Sequence, residues 1–227
     1  MENLQSLLSP SCNVELLNPL ELLDRSGPAG LSDAGRERIQ DMLTRSGSNY
    51  IAGWSLGGML AILIASLFGP RVSGLCLVST TLKFCRDSTR NWAADPRRVM
   101  AMRDGLTQRP ANTLKAFLHL AARPARPLYA ISEDQRAGIG NHEVEALCTG
   151  LDFLLQADLR SCDFARFPDT AVLHGGRDSI IPVEAGKEIR STIQGAHFDE
   201  IPDIGHDLAI RCPEILVENL TRLMGVR

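Results

Sequence analysis

The sequence lacks the features that carry a chain into or across a membrane. Its first ten residues, MENLQSLLSP, offer no basic start followed by a long apolar run. Nothing in the 227 residues approaches the roughly 20 apolar positions of a membrane span. Paired cysteines are lacking as well. Cys12, Cys76, Cys85, Cys148, Cys162 and Cys212 are scattered, with no C-x-x-C and no histidine at metal-ligand spacing. Free thiols in a reducing compartment, with neither metal nor disulfide, are the reading of that pattern. Nor is there an excess of positive charge to hold nucleic acid, since the net charge is −3. Internal repeats and low-complexity tracts are absent. The expectation is a soluble, cytoplasmic monomer whose partners include neither a membrane nor a nucleic acid.

What is present is ordinary globular material, 44% hydrophobic and 22% charged, in a chain long enough for one large domain with an insertion. The charge is unevenly placed. From Lys83 to Arg126 there are ten basic residues against Asp87, Asp95 and Asp104, a net +7, which leaves −10 for the remainder.

Short β-rich runs alternate with helical patterns, the signature of a parallel sheet covered by helices. Strands are expected at Val14–Leu17, Tyr50–Ala52, Gly74–Val78, Thr170–Leu173 and Phe198–Ile201. Helices are expected at Asp33–Thr44, with Ser32 as N-cap and Ile39, Met42 and Leu43 on one face, and at Gly57–Phe68, Val183–Ile193 and Pro213–Met224. Between Leu82 and Thr149 the alternation stops, and only helical patterns broken by Pro96, Pro110, Pro124 and Pro127 remain. That divides the chain into a core of residues 1–81 and 150–227 and a helical lid of residues 82–149.

Gly53-Trp54-Ser55-Leu56-Gly57 lies where a strand pattern meets an apolar helix, the setting in which G-x-S-x-G exposes a nucleophilic serine. Gly53 and Gly57 are expected to relieve crowding at the turn and Gly58 to allow close helix packing. The Leu56 N–H, at the helix start, is the natural oxyanion donor. The alternative, a glycine-rich turn with an idle serine, stays open; a phosphate loop does not, since no lysine follows Gly57 or Gly58. A serine hydroxyl needs an imidazole to take its proton and a carboxylate to fix that imidazole. His206, after the last short strand, is the candidate base, and Asp178, in the turn beyond the strand Thr170–Leu173, the candidate acid. His174 reads as structural or pocket-lining, His119, His142 and His197 as peripheral, and Asp203 and Asp207 as solvated neighbours of the base.

With these residues placed, the chain resembles the α/β-hydrolases, in particular the pimeloyl-[acyl-carrier protein] methyl ester esterases. The likeness is carried by Gly53-Trp54-Ser55-Leu56-Gly57-Gly58, Lys115-Ala116-Phe117-Leu118-His119-Leu120, Gly150-Leu151-Asp152-Phe153-Leu154 with Ala157-Asp158-Leu159-Arg160, and Gly175-Gly176-Arg177-Asp178 with Ile181-Pro182. It implies an α/β-hydrolase fold, mostly parallel sheet flanked by helices with a helical lid, and a serine carboxylesterase that needs no cofactor. It also implies a substrate site formed by Trp54 and by Phe117, Leu118, His119, Leu120 and Ala121, and an acidic acyl-carrier protein as partner for the basic lid. Two rivals share these residues: a general carboxylesterase or thioesterase, and a non-catalytic binding protein of the same fold. The family's early strand and His-Gly-Trp-like loop, source of a second oxyanion donor, have no counterpart in residues 1–11, which hold only a helical fragment. The N-terminal strands are therefore expected to be missing. A start assigned too far downstream is the favoured explanation, ahead of a reduced sheet with a substitute donor and of lost activity.

Overall fold

The computed structural model describes residues 8, 12–25, 29–45, 47–128 and 140–225. Four parallel strands, β1 (Tyr50–Trp54), β2 (Gly74–Val78), β3 (Asp169–Gly175) and β4 (His197–Ile201), form one sheet in that spatial order. Strand β2 is buried at every position, as its continuous apolar sequence requires of a strand covered on both faces. The period of two sorts its side chains. Leu75 and Leu77 join the core on one face with Met59, Ile62 and Ile189, whereas Cys76 and Val78 join Leu208, Leu216 and Leu220 on the other.

The helices that supply those faces follow from local sequence. Helix α1 (Asp33–Thr44) starts where Ser32 accepts a hydrogen bond from the Gly35 N–H at 3.0 Å, and it buries Ile39 and Leu43. Helix α2 (Leu56–Phe68) is apolar nearly all round, and only a core position suits it. Gly69 ends it with a φ of 42°. Among the described residues, three α-helices lie between β2 and β3: α3 (Pro96–Gln108), α4 (Pro110–Ala121) and α5 (Asn141–Gln156). They close a small core of their own around Val99, Leu106, Cys148 and Leu151. Helix α5 continues to Gln156, so the division expected at residue 149 falls inside it. Helix α6 (Glu184–Thr192) lies between β3 and β4, and α7 (Leu208–Arg211) and α8 (Pro213–Met224) end the described chain.

One expected strand is not formed: Val14–Leu17 is irregular. Among the described residues the sheet ends at β1 on one side, and Val14–Leu17 is not part of it. The helical fragment expected in residues 1–11 lies outside the described residues apart from Leu8. Among the described residues no helix is long and apolar enough to cross a membrane.

Candidate active site

Parallel strands end at a common edge, and the loops that leave that edge carry the three candidate residues. Ser55 follows β1 directly and has φ 56° and ψ −121°, a conformation an L residue holds only where its surroundings enforce it. The enforcement is visible. The Ser55 N–H donates to the Val78 carbonyl at 2.9 Å, and the Ser55 carbonyl accepts from the Thr80 hydroxyl at 2.7 Å and from the Gly58 N–H at 2.9 Å. A Cβ on Gly53 would stand 2.4 Å from the Gly57 carbonyl oxygen, and one on Gly58 would stand 2.6 Å from Thr80. Gly57 departs from expectation, because a Cβ there would meet nothing within 4 Å. The turn has crowding on its strand side and open space at Gly57.

Asp178 sits in the turn after β3. Its Oδ1 accepts the backbone N–H groups of Ile180 and Ile181 at 2.8 and 2.9 Å, which leaves Oδ2 for the His206 Nδ1 at 2.7 Å. The opposite ring nitrogen, Nε2, lies 2.9 Å from the Ser55 Oγ. A carboxylate can only accept, so Nδ1 carries the proton and Nε2 presents its lone pair to the serine hydroxyl. The Asp178 and His206 side chains are buried, which shields this pair from water. The structure thus brings Ser55, Asp178 and His206 into one hydrogen-bonded chain. Leu56 stands at the first position of α2, where helix N–H groups have no intrahelical acceptor.

His174 is fully buried, and its Nε2 donates to the Ile181 carbonyl at 2.8 Å. Burial pushes its pKa down, with the Ile181 carbonyl and the Asp178 carboxylate acting the other way. It is a packed, neutral ring behind Asp178, whose Oδ2 lies 3.7 Å from it. His119, His142 and His197 are exposed, and His197 pairs with Asp199. Asp203 is exposed, but Asp207 is buried, contrary to expectation, because it pairs with Arg211 at 2.7 Å.

The residues expected to meet substrate are placed less uniformly. Phe117 and Leu118 are half-buried, His119 and Leu120 are exposed, and Ala121 is buried. Five consecutive helical residues turn through more than a full circle, so no single channel can be lined by all of them. Trp54 is half-buried and donates its indole N–H to the His206 carbonyl at 2.8 Å. Among the described residues there is no cluster of three His, Cys, Asp or Glu side chains placed to hold a metal ion.

A strained serine between strand and helix, held to a buried histidine and aspartate, is the arrangement of one large family, and residues 16–219 match the family described as the alpha/beta hydrolase family. The chain belongs to that family. It is a hydrolase, and esterases are among the relatives that it matches. It is 28% identical over 196 residues to the pimeloyl-[acyl-carrier protein] methyl ester esterase of Nitrosospira multiformis, covering 85% of this chain and 74% of that one. To the enzyme of the same name from Chromobacterium violaceum it is 30% identical over 157 residues, 69% of this chain and 62% of the relative. Among solved structures, a bromoperoxidase from Bacillus anthracis superposes with a TM-score of 0.71 at 19% identity, over 89% of this chain and 80% of that one. An esterase from Exiguobacterium antarcticum superposes with a TM-score of 0.69 at 21% identity, over 82% and 69%.

Within this α/β-hydrolase the sequence reading missed Thr80 and the backbone seat of His206. Thr80 has a signal, its place just past the carboxyl end of β2, where ligands and catalysis gather. The carbonyl that accepts the His206 N–H has none, because any residue type supplies a carbonyl.

Proposed function

We propose that the protein is a serine carboxylesterase that hydrolyses the methyl ester of a pimeloyl chain carried on acyl-carrier protein. The observation that carries the reading is the Asp178–His206–Ser55 hydrogen-bond chain, with distances of 2.7 and 2.9 Å, at the start of α2. In this reading His206 Nε2 takes the Ser55 proton as Oγ attacks the ester carbonyl, and Asp178 stabilises the imidazolium. The Leu56 N–H and the N-terminal dipole of α2 meet the developing oxyanion. His206 then gives that proton to the departing methoxide, which leaves as methanol, and it later activates the water that cleaves the acyl-enzyme. Phe117 and Ala121, four residues apart and so on one helical stripe, are the positions in α4 best placed to line an acyl channel together.

The choice of carrier protein rests on the two relatives, whose names state that substrate, and on the charge of the lid. Half of the basic residues counted there are engaged in ion pairs: Lys83, Arg86, Arg90, Arg97 and Arg103. Arg98, Arg109, Lys115, Arg123 and Arg126 are exposed and make no ion pair among the described residues. These five would steer an acidic carrier.

Fluorophosphonate labelling that disappears in Ser55→Ala tests the hydrolase, and labelling that persists in the variant removes Ser55 from the role. Restored growth without biotin in a strain lacking its own esterase tests the substrate. A well-expressed protein that fails to restore growth yet cleaves small esters points to the general carboxylesterase instead.

A further inference from the structure

The loop that carries His206 is gripped by the lid. The His206 N–H donates to the carbonyl of Ala121, the last residue of α4, at 3.1 Å. One residue earlier there is no room for a side chain: a Cβ on Gly205 would stand 1.8 Å from the Arg123 carbonyl oxygen. One residue later, the buried Asp207 takes Nε of Arg211 at 2.7 Å, and Nη2 of the same guanidinium donates to the Arg126 carbonyl at 2.5 Å. Two carbonyls of the segment that closes α4 therefore face this short loop, and a third, that of Arg126, accepts from Arg211 at the end of α7. A helix end leaves its last carbonyls in need of donors, and the rigid fork of a guanidinium suits two acceptors on different segments.

We propose that the segment from Ala121 to Arg126 is the seat that sets the position of His206, and that Arg211 is the positioning residue fastening that seat to the histidine loop. The proposal rests on the reading of His206 as the base. Its content is mechanical coupling. Any displacement of α4, for instance by an acyl chain entering beneath the lid, moves the imidazole relative to the Ser55 Oγ. Lid and base then change position as one unit, and the lid takes part in turnover as well as in binding.

The test compares wild type with Arg211→Lys and with the double variant Asp207→Asn/Arg211→Met, which removes the ion pair without stranding a buried carboxylate. Two readouts are taken, hydrolysis of 4-nitrophenyl acetate and hydrogen–deuterium exchange by peptide. For the double variant kcat is expected to fall about tenfold with KM changed less than about twofold, since even a 1 Å misplacement of a reacting group costs up to about 10²-fold. Exchange is expected to accelerate in peptides covering residues 119–126 and 204–209 together, with those covering β2 and β3 unchanged. Arg211→Lys keeps the charge beside Asp207 but cannot hold both acceptors, and it recovers part of the rate. Faster exchange confined to residues 204–209, or an unchanged kcat in a hydrolytically active protein, overturns the proposal. Coupled exchange in a protein without Ser55-dependent hydrolysis upholds the seat and removes only the assignment of His206 as base.

Discussion

At the scale of single residues, the site depends on a few atoms that have no freedom to be elsewhere. Asp178 divides its two oxygens between the backbone of its own turn and the His206 ring. Asp178→Asn keeps the shape but offers an amide where the imidazole N–H needs an acceptor, and the wrong tautomer results. A fall in kcat of about 10⁴-fold is expected, with the fold unchanged by circular dichroism. The glycines of the turn make a second comparison. Gly53→Ala drives a methyl into the Gly57 carbonyl and should cost about 1–3 kcal/mol in urea denaturation. Gly57→Ala enters open space in a helix and should leave stability unchanged or raise it by up to about 1 kcal/mol. The sequence identifies both glycines from the motif, yet it cannot say which one is crowded, because the crowding comes from the path of the following helix.

Among the elements, the segment between β2 and α3 is anchored by a buried arginine. Arg90 leaves the segment before α3 and lies 4.5 Å over the Trp92 ring, with Nη2 2.8 Å from Glu188 on α6. It also donates to the Thr81 hydroxyl and the Lys83 carbonyl. Burial lowers the Arg90 pKa and raises that of Glu188, and their mutual attraction opposes both shifts. Arg90→Met alone strands Glu188 and should cost about 3 kcal/mol, whereas Arg90→Met with Glu188→Leu should recover most of it, as a double-mutant denaturation series would show. The elements themselves were largely legible in the sequence. Gly74–Val78, Asp33–Thr44 and Pro213–Met224 are formed with the expected bounds because apolar period, capping serine and N-terminal proline all agree there. Val14–Leu17 was misread because β-prone residues do not by themselves place a segment in the sheet. Asp207 was misread because its partner, one helical turn onward, comes within reach only once α7 has formed.

At the scale of the whole molecule, the buried His174 makes stability depend on pH. Its Nε2 proton is committed to Ile181, and its Nδ1 is buried with no hydrogen-bond partner among the described residues. The folded state therefore resists a second proton, while the unfolded chain accepts one near the ordinary value of 6.5. Above that pH the ring is neutral in both states and contributes nothing. As pH falls below it, the unfolded state gains a proton that the folded state refuses, and stability declines. Urea midpoints measured between pH 7.5 and pH 5 should fall for the wild type and fall less for His174→Gln. Equal slopes would contradict this account.

Strand β1 has a hydrogen-bonded neighbour on one side only among the described residues, and it is the strand that delivers Ser55. An edge is where a sheet opens first, at a fraction of the free energy that melts its centre. The proposed nucleophile thus follows one of the two outer strands of the described sheet, β4 being the other, while β2 and β3 lie at its centre. As such a protein loosens, hydrolysis would cease before the fold is lost, and the lifetime of activity would report the lifetime of five residues rather than that of the molecule.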